Sequence, residues 1–519
     1  MSKSTFPLIL FLLMLTFNTY AQTQNSINYH QHIAPILQLK CVPCHQTNQI
    51  GPMSLSNYKE VAAYGKMIAH VTQIGLMPPF LADEPTKPHT FKGDKRLSQE
   101  EINKIQSWMQ QGFLEGEANQ KKQPFPKPLS LSEPDAVISI SEAFEQYGVY
   151  YDQYRVFALP TNFEEDKWVS AIEFVAGNPK IVRHATISVD TSNQVKVWDD
   201  WDPQYGYFSF GTPGFVPTES LWYSWNPSQS YSQFPANQAK FLPKNATLLL
   251  HIHYGPTGVP QKDSSAIRLK FSPKPTPQTI QTAPLIHPFN MTNDTFLIAA
   301  NERTRYHAKF TVPFDIELFG LYPQAHYLGR KWEIFAVAPN NREAEVLLKI
   351  KDWDFHWKQF FEYQAPKILK KGTVIHALAE YDNTLENLAN PNDPPRTMLW
   401  GKRMYEELFL VYFSFNPHTN PTMNTSKFYL LPTATNIIHS DFEVQIEAKK
   451  SIENLTFEII DFEGNTVLQF FENKSFKKGK HKLQIDLKKL KYGNYYFHLQ
   501  NEKVEENRIF AYFPKGFFE

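Results

Sequence analysis

Both cysteines of this 519-residue chain fall in one short segment, Cys41-Val-Pro-Cys44-His45. A Cys-x-x-Cys followed at once by His lets two thiols add to the vinyl groups of one haem while the imidazole binds its iron. Two other chemistries use cysteine pairs. A zinc half-site needs a second pair of ligands to reach about four donors, and the sequence has no further cysteine. A redox disulfide has no use for His45. Cys41, Cys44 and His45 therefore read as a c-type haem attachment site, with His45 as an axial ligand.

A second axial ligand is sought in "GLMPPF", residues 75–80, where two prolines fix the backbone beside Met77. Such a loop can hold a thioether over a haem, and methionine opposite histidine is a common pairing. Met77 is the preferred ligand. His70, Met67 and Met53 are its rivals, and a plain core role for Met77 is the alternative.

Helices are expected to carry these groups. In "NYKEVAAYGKMIAHVTQIG" the apolar residues Val61, Tyr64, Ile68 and Val71 recur at helical spacing, with Gly75 placed to stop the helix. In "LSQEEINKIQSWMQQG" Ser98 and Glu101 form a capping box, Ile102, Ile105 and Trp108 form the stripe, and Gly112 ends it. Upstream, a basic start at Lys3, an apolar run from Phe6 to Phe17 and a polar stretch ending in Ala21 describe a secretory signal peptide. The run is too short for a membrane span, so the mature chain is expected to begin at about Gln22 with no transmembrane segment. Export suits covalent haem attachment.

Composition bounds the rest. The 52 basic and 52 acidic residues cancel, which excludes nucleic acid as an expected partner. If both cysteines carry haem, no disulfide supports the exported chain. A charged, proline-rich stretch, "EGEANQKKQPFPKPLS", reads as a stiff linker. Beyond Pro134 the pattern changes to short alternating runs such as "KWVSAIEFVAG", "ATLLLHIHYGPTG" and "EELFLVYFSF", divided by turn residues, as in antiparallel sandwiches.

The segments "RHATISV", "LLLHIHYGPTG", "YPQAHYLGR", "KDWDFHWKQFFEY", "EYDNTLENLANPNDPP" and "WGKRMYEEL" together resemble the copper type II, ascorbate-dependent monooxygenases, the family of the peptidylglycine and dopamine hydroxylases. "CVPCHQTNQIGPMSLSNYKEV" and "GLMPPFLAD" are similar to the amino-terminal cytochrome c domain that some bacterial members carry. The resemblance implies two β-sandwiches facing each other across a cleft. One copper on three histidines passes electrons; the other, on two histidines and a methionine, binds oxygen.

Carried over residue by residue, that ligand set is damaged. The family's paired histidines fall on Arg183 and His184, and its next histidine on His253. Its His-x-His falls on Gln324 and His326, and its methionine on Leu408. An amide is a weak copper ligand and leucine is none, while the guanidinium of Arg183 repels a cation. Residues two apart on a strand share a face, so His251 would stand beside His253. There it either replaces the ligand lost at Arg183 or hydrogen-bonds at the cleft wall. Copper is thus expected at one site at most. His356 and His376 match no ligand of the family and read as structural. "YDNTLENLANPNDPP" reads as turns rather than a calcium loop.

The last segment, from about Leu430, alternates as strands with a turn at Glu463-Gly464-Asn465. Its "DFEGNTV" and "DLKKLKYGNYYFHL" resemble the carboxy-terminal sandwich that type IX secretion reads as a sorting signal; an accessory sandwich is the alternative.

The expected organisation is multidomain. A signal peptide (1–21) precedes an all-α cytochrome c domain (22–118) and a linker (119–133). Two copper-monooxygenase-like antiparallel β-sandwiches (134–274 and 275–428) and a small C-terminal β-sandwich (429–519) follow. The expected protein is exported to the periplasm, the outer membrane surface or the medium, and carries haem c. It exchanges electrons with a donor or acceptor protein or a small reductant. Its sandwich pair is either a copper oxidase site served by the tethered haem or a cleft that only binds a ligand or partner.

Overall fold

The computed structural model describes residues 26–83, 90–117, 130–272, 278–417 and 428–512, apart from 230, 294, 342, 431–436, 439–441, 449, 463 and 503. The signal peptide, most of the linker and the last seven residues lie outside the described residues. The chain divides into two compact units, Met1–Phe80 with Lys95–Pro128, and Leu81–Asp94 with Leu129–Glu519.

The first unit corrects the expected all-α domain. The structure is 45% strand and 11% helix, and among the described residues there is no sizeable all-α domain at the amino end. The helical pieces Tyr29–Ile33, Ala34–Lys40, Tyr58–Ala63, Gly65–Gln73 and Gln99–Gln110 are short, and turns and bends fill the chain between Cys41 and Ser56. The run expected as one helix from Tyr58 onward breaks at Tyr64, whose φ of −104° and ψ of 8° leave the helical region. Gly65 follows because a Cβ there would lie 2.3 Å from the Phe113 ring. The break rotates the stripe: Val61 and Ile68 are buried, but Tyr64 is exposed. Helices this short are marginal alone. They persist by packing Ile33, Leu37, Val61, Ile68, Ile105 and Trp108 into one apolar cluster. The Ser98–Glu101 capping box forms, and Gly75 and Gly112 end their helices at φ of +73° and +78°.

The second unit is built of mainly antiparallel sheets, with Gln278–Thr279 and Ile437–Ile438 pairing in parallel. In the first sandwich, the sheet of Ala136–Ser139, Ala266–Phe271, Lys167–Val175 and Gln238–Leu242 covers that of Gln153–Pro160, Thr247–Tyr254, Val182–Asp190 and Glu219–Trp225. Leu248, Leu250, Ile252 and Tyr254 point into the core between them. Strand alternation sends Leu249, His251 and His253 to the other face. The second sandwich pairs Gln281–Ile286, Leu410–Pro417, Ile316–Gln324 and Phe361–Leu369 in one sheet, and Arg303–Thr311, Val374–Asp382, Gly329–Val337 and Ala344–Ile350 in the other. The strap Leu81–Asp94 belongs to this unit. Its Phe91, 1% exposed, stacks on Tyr363 at 5.1 Å and meets Phe361 edge-on. A third pair of sheets, from Phe428 to Tyr512, forms the C-terminal sandwich around Leu455, Phe457, Phe497 and Phe510.

Candidate functional site

The Cys-x-x-Cys-His segment is a tight turn on the end of the Ala34–Lys40 helix. Cys41 caps that helix, donating its N–H to the Leu37 carbonyl at 2.8 Å. The N–H groups of Cys44 and His45 both return to the Cys41 carbonyl, at 3.1 and 2.9 Å. One turn therefore gathers Cys41, Cys44 and His45. Gly51 closes it by donating to the Cys44 carbonyl, and a Cβ at Gly51 would sit 2.6 Å from both that oxygen and His45 Nδ1. His45 Nδ1 lies 3.3 Å from the Met53 carbonyl, which orients the ring and leaves Nε2 for another partner. Burial holds the His45 imidazole below its ordinary pKa, hence neutral, against the opposing Met53 hydrogen bond. Burial pushes the Cys41 thiol up to about 12 and the Cys44 thiol upward too.

Met77 lies in the loop leaving the Gly65–Gln73 helix. Its N–H bonds to the Val71 carbonyl, and its side chain is 36% exposed. Among its rivals, Met53 packs against the apolar cluster, while Met67 and His70 are exposed. The Gly65–Gln73 helix buries Gly65, Ile68, Ala69 and Thr72. Beside that face, Tyr64, Met67 and Ile74 form a second apolar stripe that is exposed, and the chain continues through exposed Leu76 and Met77. A neutral, oriented imidazole and two thiols on one turn fit a haem.

In the second unit the histidines gather on the outward face of the Thr247–Tyr254 strand. His253 is the cross-strand partner of His184, and their ring centroids are 5.7 Å apart. His251 pairs with Thr186 and puts Nε2 2.9 Å from the Ser209 carbonyl. His253 stacks on Tyr154 at 4.5 Å and holds Nε2 3.1 Å from Asp152 Oδ1, whose other oxygen lies 3.3 Å from His356. From the other sandwich comes His326, which contacts Phe210 at 5.0 Å and Phe355 at 5.7 Å. His184 Nδ1 and His326 Nε2 are buried with no hydrogen-bond partner among the described residues. Arg183 lies over Gly255, where a Cβ would fall 2.2 Å from its Nε. His356 contacts Asp152 and is half exposed, whereas His376 pairs with His307 at 2.9 Å on another sheet.

Gln324 and Leu408 line one small cavity with Thr186, Phe215, Trp400 and Tyr412. Glu407 organises this wall: its carboxylate accepts from the backbone N–H of His326, Leu328 and Leu408. Burial pushes Glu407 up to about 7. Among the described residues no three His, Cys, Asp or Glu side chains converge as a metal ion requires.

Lys358 is the residue that the sequence did not single out. It is 3% exposed, on the loop between Ala344–Ile350 and Phe361–Leu369, and its Nζ lies 4.3 Å from the Phe355 ring centroid. Asn226 and Gln229 of the first sandwich pin this loop by donating to the Lys358 and Phe360 carbonyls. Its charge acts on His184, His251, His253 and His326 alike, adding to burial in holding the first three and the last below their ordinary pKa. Burial lowers Lys358 itself to about 7 against the pull of Glu407. The only sequence signal was a lysine inside an aromatic run, "DFHWKQFF".

Residues 438–510 match the family model of the secretion system C-terminal sorting domain. The C-terminal sandwich is a sorting domain of type IX secretion, and the chain is exported through that system. No curated protein matches the chain. Solved structures with local likeness include a β-glucuronidase of Faecalibacterium prausnitzii, 11% identical over 45% of this chain and 46% of that one, with a TM-score of 0.15. The β-glucuronidase of Dictyoglomus thermophilum is 13% identical over 45% and 43%, at a TM-score of 0.13. The chain spans less than half the length of either enzyme. The adhesin domain of Epf from Streptococcus pyogenes is 11% identical over 43% and 80%, at 0.12. Scores this low carry no argument about fold or activity. Among the described residues no helix is long and apolar enough to cross a membrane.

Proposed function

We propose that this is an exported redox protein that carries one haem covalently on Cys41 and Cys44, with His45 on the iron and Met77 opposite it. The observation that carries this reading is the single turn that gathers both thiols beside an imidazole whose Nδ1 is already held by the Met53 carbonyl. Bound haem would supply one-electron transfer. The chain's part is to hold the imidazole neutral and oriented and to offer an apolar stripe to the ring. The test is retention of colour on the denatured polypeptide after acid-acetone extraction of protein matured in a host that attaches haem c. Complete extraction of the colour contradicts it.

The resemblance to copper monooxygenases suggests that the sandwich pair descends from an oxidase site. Lys358 favours a second reading, a cleft that binds a ligand or partner without resident copper. When protonated, the buried Lys358 adds positive charge at the four imidazoles on which it acts, and so opposes a metal ion there. His251 Nε2 is occupied by the Ser209 carbonyl, and Gln324 and Leu408 are poor or absent donors. The donor set thus does not fit either copper of that family. In this reading only the haem is redox-active.

A further inference from the structure

The sorting domain is seated on both sandwiches, and its contacts are of the kind found inside a protein. Gln281, on the Gln281–Ile286 edge strand, uses its side-chain amide as a strand would. Its Nε2 donates to the Asn507 carbonyl at 3.4 Å, and its Oε1 accepts from the Ile509 N–H at 3.3 Å. Asn494 Nδ2 donates to the Leu285 carbonyl on the same edge. Three aromatic pairs flank this seam: Phe289 with Tyr492 at 4.9 Å, Phe314 with Tyr496 at 5.6 Å and Phe310 with Phe462 at 4.6 Å. The first sandwich contributes Asp166, which meets Lys480 at 3.0 Å.

Beneath the seam lies a group of charges drawn from all three sandwiches. Lys240 and Glu219 of the first sandwich stand 3.9 Å apart, and Lys240 Nζ donates to Thr282 Oγ1 of the second at 2.9 Å. Arg508 of the sorting domain is buried, and its charge and that of Glu219 attract each other. Glu506 adds a second carboxylate beside Arg508. Separation would remove the attraction between Glu219 and Arg508, break the hydrogen bonds that Gln281 and Asn494 make across the seam, and bare the edge of the Gln281–Ile286 strand. An open sheet edge is costly.

We propose that the sorting domain has a second role, as a clamp whose partner is the two-sandwich body of its own chain, so that it stays bound when the connection between them is cut. The test is a protease site inserted in the full-length chain between residues 418 and 427, cut after folding and followed by gel filtration at low protein concentration. Co-elution of the two fragments is expected. Elution as two separate species overturns the proposal. The variant Arg508→Met in the same cleavable chain is expected to weaken retention at least about tenfold, since it removes the attraction to Glu219 across the seam. Should that variant fold poorly, Tyr492→Ala at the rim serves instead, with faster loss of the cut fragment expected. Retention unchanged by Tyr492→Ala in a folded chain would contradict the seam described here.

Discussion

His184 and His253 face each other on neighbouring strands with ring centroids 5.7 Å apart, and the cation whose charge both of them feel is the ammonium of Lys358. The lysine supplies positive charge to that pair from within the chain. The first prediction follows. Lys358→Met, which removes the charge and keeps an apolar stem, is expected to tighten copper binding by about tenfold or more, a difference of about 1.4 kcal/mol. Competition against a chromogenic chelator measures it. Unchanged or weaker binding would mean that Lys358 does not exclude the ion.

Restoring donors to the second sandwich should act on the same cleft. Gln324→His with Leu408→Met places an imidazole and a thioether on one cavity wall near His326. Combined with Lys358→Met, copper uptake should rise by up to one ion per chain. Uptake no greater than that of Lys358→Met alone would show that these positions do not converge.

At the haem site, Cys44→Ala should weaken covalent attachment while His45→Ala changes the spectrum and leaves attachment through the thiols. The weak absorbance at the red end that reports sulfur on ferric iron should vanish in Met77→Leu and persist in Met53→Leu and Met67→Leu. A spectrum indifferent to Met77→Leu transfers the role to His70 or to water.

The cleft should make the protein sensitive to acid. His251 and His326 are held down to about 3, chiefly by burial, so below pH 6.5 the unfolded chain takes up protons that the folded chain refuses. Each such imidazole costs about 1.4 kcal/mol per pH unit below that point. His356 has the opposite sign. Raised to about 9 by Asp152 and Asp354, it stabilises fully below pH 6.5 and loses its contribution as pH rises through 9. Asp152, held down by His253 and His356 against the effect of burial, keeps its contribution until pH falls below the ordinary carboxylate range. Glu407, raised to about 7 by burial, acts the other way and adds stability as pH falls from 7 toward 4.5. The comparison that isolates an imidazole is therefore with His326→Phe, whose urea midpoint should change more favourably from pH 7 to pH 5 than that of the parent chain. The same change in both proteins would contradict the burial of a neutral His326.

The strands were legible because alternation is local. "TLLLHIHY" carries its own two faces, with Leu248, Leu250 and Ile252 inward and His251 and His253 outward. The helical unit was less legible. The spacing of Val61, Tyr64, Ile68 and Val71 cannot report that Gly65 must admit the Phe113 ring, which breaks the run and turns Tyr64 outward. Lys358 was not legible at all, since its burial depends on Asn226 and Gln229, more than a hundred residues away, pinning its loop.

The central claim, one covalent haem as the only redox metal of an exported chain, is tested most directly by iron and copper analysis of protein matured with haem attachment and then exposed to copper and dialysed. The expected result is about one iron per chain, retained on the denatured polypeptide, with copper below about a tenth of that. Copper equal to iron, or iron lost with extractable haem, would contradict it.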